Sequence, residues 1–222
     1  HLYTPWWLND SKDLGFTRGY HIEYWGGMSM PAYGFGFNTQ ALKEITGDTS
    51  RNAYGTGLKK DVKKFYGATF GMAGRGESIP RKENYCEIDS NTVDKYGIPV
   101  LKFNYSWSDE EVKQARHMQD TFEEVMHNMG AVPLGDKPGK EKNYGLENPG
   151  KIIHEVGTTR MGKDPKSSVV NEFNQAHDVP NLFVMDGGPF VSQADKNPTW
   201  TILALAWRAT DYLTEQLKKG NV

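Results

Sequence analysis

The chain has 222 residues, and its 26 Lys and Arg side chains nearly balance 28 Asp and Glu, which leaves a formal net charge of -2. That balance provides no broad basic surface, so we expect neither nucleic acid nor an anionic membrane as a partner. The single cysteine, Cys86, excludes an intrachain disulfide framework and a cysteine-rich metal site. No apolar run approaches the length of a membrane span.

Residues 1–37 are rich in aromatic side chains and glycine, and residues 20–25 have the pattern of a short strand. Rings such as Trp6, Trp7 and Trp25 could stack on a sugar, although packing inside a core is the commoner use of such side chains. The chain opens at His1 with neither an initiator methionine nor a signal-peptide pattern, so we expect it to be cut from a longer protein.

Two short helices are predicted next from the spacing of apolar residues. One covers residues 39–46 and is closed by Gly47, and the other places three apolar side chains on one face: Leu58, Val62 and Phe65. Neither helix carries residues that point to chemistry, so both are interpreted as structural.

Strands follow in the middle of the chain. Residues 68–73 and 85–89 have strand character, and apolar and polar side chains alternate over residues 101–107. Residues 94–99 contain Gly and Pro and supply a connecting turn. The layout predicts an antiparallel sheet with one face wetter than the other.

A long helix is predicted to start at a capping box formed by Ser108 and Glu111 and to end at Gly130. Its predicted inner face consists of Val112, Ala115, Gln119, Phe122, Met126 and Met129. His117 and His127 lie on the same helix, and neither has a carboxylate or a second histidine at metal-binding spacing. Both are therefore predicted to be solvated, and no metal site is expected.

The segment after residue 134 is rich in Gly, Pro and Lys, and the best candidate domain boundary lies near Gly150. Further on, the apolar run 182–185 predicts a strand buried on both faces, and Gly187 and Gly188 follow it in a turn. Asn197 is predicted as the N-cap and Pro198 as the first residue of a final helix. The apolar positions of that helix are Ile202, Leu205, Ala209, Leu213 and Leu217.

A helix N-terminus aimed at a glycine turn offers free N–H groups and a partial positive charge, which suit a phosphate, a carboxylate or an anionic reduced flavin. Three sequence motifs narrow the choice among these anions. HEVGTTRMG at 154–162, DGG at 186–188 and NPTWTILALAW at 197–207 resemble motifs of the glucose-methanol-choline (GMC) flavoprotein oxidoreductases. The resemblance is specific over residues 151–219 and looser over residues 84–130.

The resemblance implies that His154 is the catalytic base and that Asn197 is its partner across the substrate oxygen. A neutral imidazole can take the proton of an alcohol, and an amide can donate to the resulting oxygen anion, so both residue types suit these roles. The implied cofactor is FAD. The residues expected beside it are Asp186, Gly187, Pro198 and Thr199.

The implied fold combines α+β and α/β parts. Residues 1–150 would form a substrate-binding domain, incomplete in this chain, with an antiparallel sheet plus helices. Residues 151–222 would supply the C-terminal strand and helix of a Rossmann-like FAD domain whose N-terminal half, with its GxGxxG motif, is absent from the chain. We therefore expect these residues alone to bind FAD weakly or not at all.

The implied activity is oxidation of an alcohol group, preferably on a sugar or sugar acid. Asn197 and the TRMG and NPT motifs are similar to those of gluconate-dehydrogenase-like and pyranose-oxidase-like members of the family. The acceptor could be oxygen, a quinone or an electron-acceptor subunit, and the compartment stays open between bacterial periplasm and cytoplasm. The alternative is a carbohydrate-binding or inactive substrate-domain module without redox activity.

Overall fold

A computed structural model describes residues 14–26 and 55–222, together with Lys43 and Gly47. The chain forms two compact units, one of residues His1–Gly76 and Val112–Leu146 and the other of Glu77–Glu111 and Glu147–Val222. The predicted helix at 39–46, Trp6 and Trp7 lie outside the described residues. The domain boundary predicted near Gly150 stays a prediction.

Three consecutive strands lie in the middle of the described residues, and helices follow them. In chain order they are β1 (Tyr20–Gly26), α1 (Gly55–Phe65), β2 (Phe70–Gly76), β3 (Tyr85–Val93), β4 (Pro99–Asn104), α2 (Asp109–Met129), a short 3₁₀ helix (Lys140–Gly145) and α3 (Thr199–Lys219). None of these helices combines the length and apolar character that a membrane crossing requires. The predicted mixture of antiparallel strands and helices is confirmed.

In the first unit, β1 pairs antiparallel with β2, and helix α2 packs on this sheet where β2 carries glycine. A Cβ atom at Gly74 would lie 2.3 Å from the Met118 sulfur, and one at Gly76 would lie 1.7 Å from Gln114 Oε1. A side chain at either position would have to displace Met118 or Gln114, so the two glycines let the helix lie close to the strand without such a shift. Tyr20, Ile22 and Met118 form the buried core of this unit.

The buried face of α2 is also polar, and this corrects two predictions. His117 is half-buried, and its Nδ1 lies 2.6 Å from the Tyr20 hydroxyl, so it is not a solvated residue. Met129, predicted on the inner face, is 61% exposed. Gln114 is buried instead, because its amide donates to the carbonyl oxygens of Arg18 and Gly19 at 2.9 and 3.1 Å.

Trp25 lies at the end of β1, with its ring over Gly71 of β2. A Cβ atom at Gly71 would approach the indole Cε2 to 2.4 Å, so one part of this ring is covered by the neighbouring strand. That contact is the ordinary packing use of an aromatic side chain.

In the second unit, β3 and β4 form an antiparallel hairpin, with Ile88 opposite Leu101 and Glu87 opposite Lys102. The alternating pattern is confirmed, because Glu87 and Lys102 form an ion pair at 3.5 Å on one face while Ile88 and Leu101 share the other. Ile88 and Leu101 are exposed. The carboxylate of Asp94 closes the turn by accepting the amides of residues 96 and 98 at 2.8 and 3.0 Å.

The predicted capping box is also present in the second unit. The Ser108 amide donates to Glu111 Oε2 at 2.7 Å, and the Ser108 hydroxyl accepts the amide of Glu110 at 3.3 Å. These bonds satisfy donors that the first turn of a helix leaves free, and so they fix the start of α2.

Between residues 161 and 183 the second unit is joined by isolated β-bridges rather than by strands. Residues 182–185 were expected to form a strand, and this prediction is wrong. Phe183 forms a single antiparallel bridge with Gln175, the amides of Ala176 and Val184 donate to the oxygens of Leu182 and Asn174 at 2.9 Å, and Leu182 is exposed. Within the described residues this run bonds to a loop on one edge and to no strand, so it lacks the neighbours that a doubly covered strand needs.

Candidate active site

The histidine motif and the glycine turn are joined through their main chains. The amides of residues 157, 159 and 161 donate to the carbonyl oxygens of residues 187, 188 and 189 at 3.1, 3.1 and 2.9 Å. We call this arrangement the junction. It places two motifs that lie about 30 residues apart in the sequence side by side.

The glycine turn leaves no room for side chains on its inner side. A Cβ atom at Gly188 would lie 2.2 Å from the Thr159 hydroxyl oxygen, and one at Gly187 would lie 3.0 Å from Val156 Cγ1. The Gly188 amide donates to Asp186 Oδ1 at 2.7 Å, so the exposed Asp186 shapes the turn. The Thr159 hydroxyl oxygen is buried and has no hydrogen-bond partner among the described residues.

The first turn of helix α3 lies beside the same glycines, because the Ile202 Cδ1 atom would be 3.7 Å from a Cβ atom at Gly187. The predicted N-cap is corrected here. The helix starts at Thr199, Pro198 holds the cap position, and the first helical bond runs from the Ile202 amide to the Pro198 oxygen at 3.0 Å. Pro198 already has helical dihedral angles, φ -82° and ψ -15°, so the helix is set without Asn197.

Asn197 is exposed, and no hydrogen bond of its side chain occurs within the described residues. No acidic residue and no side-chain cap occupies the first turn of α3. The amides of this turn therefore keep the partial positive charge of an unneutralised helix N-terminus. Pro198 is buried behind Thr199, which is exposed.

His154 precedes the junction by three residues and is half-buried. Its imidazole makes no hydrogen bond with any other residue that the structure describes. No bond joins His154 directly to Asn197 in that part of the chain. The residues that follow His154 in sequence bond to the glycine turn, and Ile202 in the first turn of α3 lies beside the same turn.

Two side chains that sequence reasoning missed fix the far end of α3. The Tyr212 ring stacks on Phe173 with centroids 4.1 Å apart and an interplanar angle of 5°. Arg208 donates to the Glu172 carbonyl oxygen. Offset stacking of two aromatic rings is a favourable arrangement, so the loop at 171–175 anchors the helix. Arg208 and Tyr212 are four residues apart and so lie on one face of the helix, and this spacing is the sequence feature that could have indicated their shared contact.

The loop at 171–175 is itself ordered by side chains. Asn171 Oδ1 accepts the amides of Phe173 and Gln175 at 2.9 and 3.2 Å. Asn174 has a positive φ of 61° and is 1% exposed, yet neither of its side-chain amide atoms has a hydrogen-bond partner in the described structure. It is an unsatisfied polar group inside the second unit.

His177 ties this loop to the histidine motif. Its Nε2 lies 3.0 Å from Ser168 Oγ and 3.1 Å from the Gly162 carbonyl oxygen. A carbonyl only accepts, and Ser168 Oγ donates to the Asp164 oxygen at 2.6 Å, so Nε2 carries the proton and donates to both neighbours. Ser168 is therefore held as a structural group and not activated as a nucleophile.

No group of three or more His, Cys, Asp or Glu side chains within the described ranges is arranged to hold a metal ion. The GMC oxidoreductase family model matches residues 80–206, which is more than half of the chain. The chain belongs to the GMC oxidoreductase family.

Individual relatives agree with the family assignment. The chain is 32% identical over 219 residues to 2-methyl-1,2-propanediol dehydrogenase of Mycolicibacterium austroafricanum, covering 97% of this chain and 36% of that protein. It is 28% identical over 168 residues to the gluconate 2-dehydrogenase flavoprotein of Pantoea cypripedii, covering 75% and 27%. It is 26% identical over 187 residues to the fructose dehydrogenase large subunit of Gluconobacter japonicus, covering 83% and 33%. The chain thus spans about a third of the length of these relatives.

Proposed function

We propose that this chain carries the catalytic pair of an FAD-dependent oxidoreductase that oxidises an alcohol group on a sugar or sugar acid. The observation that carries the proposal is the junction, in which the histidine motif, the glycine turn and the first turn of α3 meet. Family membership supports the reaction class. The gluconate and fructose dehydrogenases among the relatives support a sugar-type substrate, whereas the diol dehydrogenase keeps a smaller alcohol in consideration.

The proposed organisation assigns residues 1–150 to a substrate-binding domain and residues 151–222 to the C-terminal segment of a Rossmann-like FAD domain. Helix α3 supports the second assignment. One side of it packs on the loop at 171–175, yet Trp200, Leu203 and Trp207 on another side are 85%, 59% and 74% exposed. A helix with apolar side chains on more than one side is suited to the interior of a larger domain. In a protein of the relatives' length, other parts of that domain would cover these side chains.

The residues at the junction fit a flavin. The buried Thr159 hydroxyl lacks a partner among the described residues, and the uncapped start of α3, which lies beside the glycine turn, favours a negatively polarised group. Asp186, Gly187, Pro198 and Thr199 would hold the cofactor. When bound there, FAD would supply the acceptor for a hydride from the carbinol carbon of the substrate.

In this proposal residues of the protein accept the hydroxyl proton of the substrate and stabilise the charge that develops on its oxygen. The unengaged imidazole of His154 accepts the hydroxyl proton as the hydride leaves the carbon. The Asn197 amide donates a hydrogen bond to the same oxygen, where negative charge develops. The positive end of α3 favours negative charge in its first turn. A separate electron-acceptor subunit is a proposed partner, in line with the "large subunit" in the name of the fructose dehydrogenase relative.

The test is His154→Ala in the full-length protein, purified with its flavin. We expect flavin content to be retained and the anaerobic reduction of flavin by sugar to slow by about 10² to 10⁴, the range for loss of a general base. His127→Ala, at an exposed position on α2, is the matched control and should leave reduction unchanged. Reduction at the wild-type rate in His154→Ala would show that this histidine is structural.

A further inference from the structure

Tyr105 and Trp107 form an aromatic pair just beyond β4 in the second unit. Their ring centroids are 5.1 Å apart and the rings meet edge to face at 78°. Tyr105 is 40% exposed and Trp107 is half-buried, so both rings keep accessible surface. Tyr105 and Trp107 are the last two apolar positions of the alternating run at 101–107, and the proposed mechanism gives them no role.

The polar ends of both side chains are already engaged. The Ser78 hydroxyl donates to Glu111 Oε1 at 3.3 Å, so the Tyr105 hydroxyl is the donor in its 2.8 Å bond to Ser78 Oγ. The Trp107 indole N–H donates to the Glu147 carbonyl oxygen at 3.1 Å. What the pair offers to a ligand is therefore mainly ring surface, held in a fixed orientation.

The pair lies beside the segment that carries His154. The bond from Trp107 to Glu147 places one end of residues 147–155 against the aromatic pair. Burial raises the pKa of the Tyr105 phenol, the bond to Ser78 and the charge of Arg81 lower it, and the negative charges of Glu111 and of Glu155, at the other end of this segment, raise it. His154 is the immediate neighbour of Glu155.

We infer that Tyr105 and Trp107 form a wall of the substrate site and pack against the C–H face of a sugar ring whose hydroxyl is presented to His154. This inference rests on the proposed function and specifies its substrate as a cyclic sugar rather than a small acyclic diol. A pyranose or furanose ring presents a flat set of C–H groups that matches an aromatic face, and a four-carbon diol presents much less such surface.

The experiment measures anaerobic flavin reduction in the full-length flavoprotein against concentrations of glucose, fructose, gluconate and 2-methyl-1,2-propanediol. Trp107→Leu should raise the half-saturating concentration of the preferred sugar about tenfold, with the limiting rate constant within about twofold of wild type. Tenfold corresponds to about 1.4 kcal/mol, within the range for contacts between aromatic faces. Tyr96→Leu, an exposed aromatic position in the β3–β4 turn, is the matched control and should change nothing.

Trp107→Phe separates the ring from the bond to Glu147, because phenylalanine keeps an aromatic face and loses the indole N–H. We expect its half-saturating concentration to stay within about threefold of wild type. An increase as large as that of Trp107→Leu, an unchanged value in Trp107→Leu, or an equal increase for the diol would each overturn the inference. A wild-type protein that no compound in the panel reduces would overturn the proposed function itself, and the two failures are therefore distinguishable.

Discussion

Replacing Asn197 with alanine tests its proposed chemical role with little structural interference. The side chain is exposed and has no hydrogen bond within the described residues, and helix α3 begins behind Pro198. The loss of about 1 kcal/mol that usually follows removal of an N-cap side chain should therefore not occur. We expect the midpoint of thermal unfolding and the flavin content of the full-length variant to match those of the wild type.

The expected effect on the reaction is large. An amide that donates to an oxygen on which negative charge develops contributes about 3 kcal/mol to lowering the barrier, so its removal should slow the reaction on the order of 10² to 10³. The uncapped start of α3 would still act on the site in this variant, and His154 would still accept the proton. Some reduction should therefore persist.

The assay is anaerobic stopped-flow reduction of the flavin at saturating sugar, with Asn197→Asp as a second variant. Aspartate has nearly the same size but lacks the amide donor and adds a negative charge, so its rate should be at least as low as that of alanine. Wild-type rates in both variants would refute the chemical role. A lower melting temperature with loss of flavin in the alanine variant would instead show that Asn197 supports the fold.

Two further predictions concern stability. Burial lowers the pKa of His117 and raises that of its hydrogen-bonded partner Tyr20 to about 12, so unfolding should become easier as pH falls below about 6.5 and also as it rises from about 10 to 12. Urea unfolding across pH should show both limbs, with His117→Gln removing the acid limb and Tyr20→Phe the alkaline one; unchanged limbs would contradict this assignment. Asn174→Gly should raise the free energy of unfolding by about 1 kcal/mol, because glycine accepts the φ of 61° and removes a buried amide without partners. Asn174→Ala is the control, and lower stability of the glycine variant in urea would show that the amide contributes to the fold.

Local pattern predicted most of the secondary structure. The alternation of residues 101–107, the capping box at Ser108 and the spacing of the final helix each indicate an element through neighbours in the sequence. The capping box and the final helix are present, whereas the strand ends at Asn104 and does not include residues 105–107. Gly220 ends the final helix with φ 70°, and its amide donates to the carbonyl oxygen of Leu217 at 3.1 Å, a helix end that is typical of glycine.

Other features depend on contacts between distant segments, and the sequence pattern did not predict them. Gln114 is buried because β2 carries glycine opposite it and because backbone oxygens before β1 accept its amide. The polarity of Gln114 and the helical position of His117 both favoured exposure. Residues 182–185 illustrate the reverse case, since an apolar run specifies burial but not which segment pairs with it.

The same distinction between local motifs and contacts of distant segments applies to the candidate site. The motifs around His154 and Gly187 singled out two segments, and the junction joins these segments, while their part in catalysis stays a prediction. The bond between Trp107 and Glu147 joins residues 40 positions apart, and neither belongs to a recognisable motif. Asn197 was predicted as a cap because asparagine is common there, but the helical conformation of Pro198 made a side-chain cap unnecessary.

The junction is fastened by amides and carbonyl oxygens, which every residue except proline provides in full. The side chains of Thr158 and Arg160 are exposed and take no part in those bonds, although the Thr158 hydroxyl lies beside Gly188 and Arg160 donates to the Ser167 carbonyl oxygen. Substitution at these two positions leaves the main-chain bonds of the junction in place, whereas proline at 157, 159 or 161 would remove one of them. A protein built this way can diversify the surface next to its histidine while the spacing between histidine and helix stays the same.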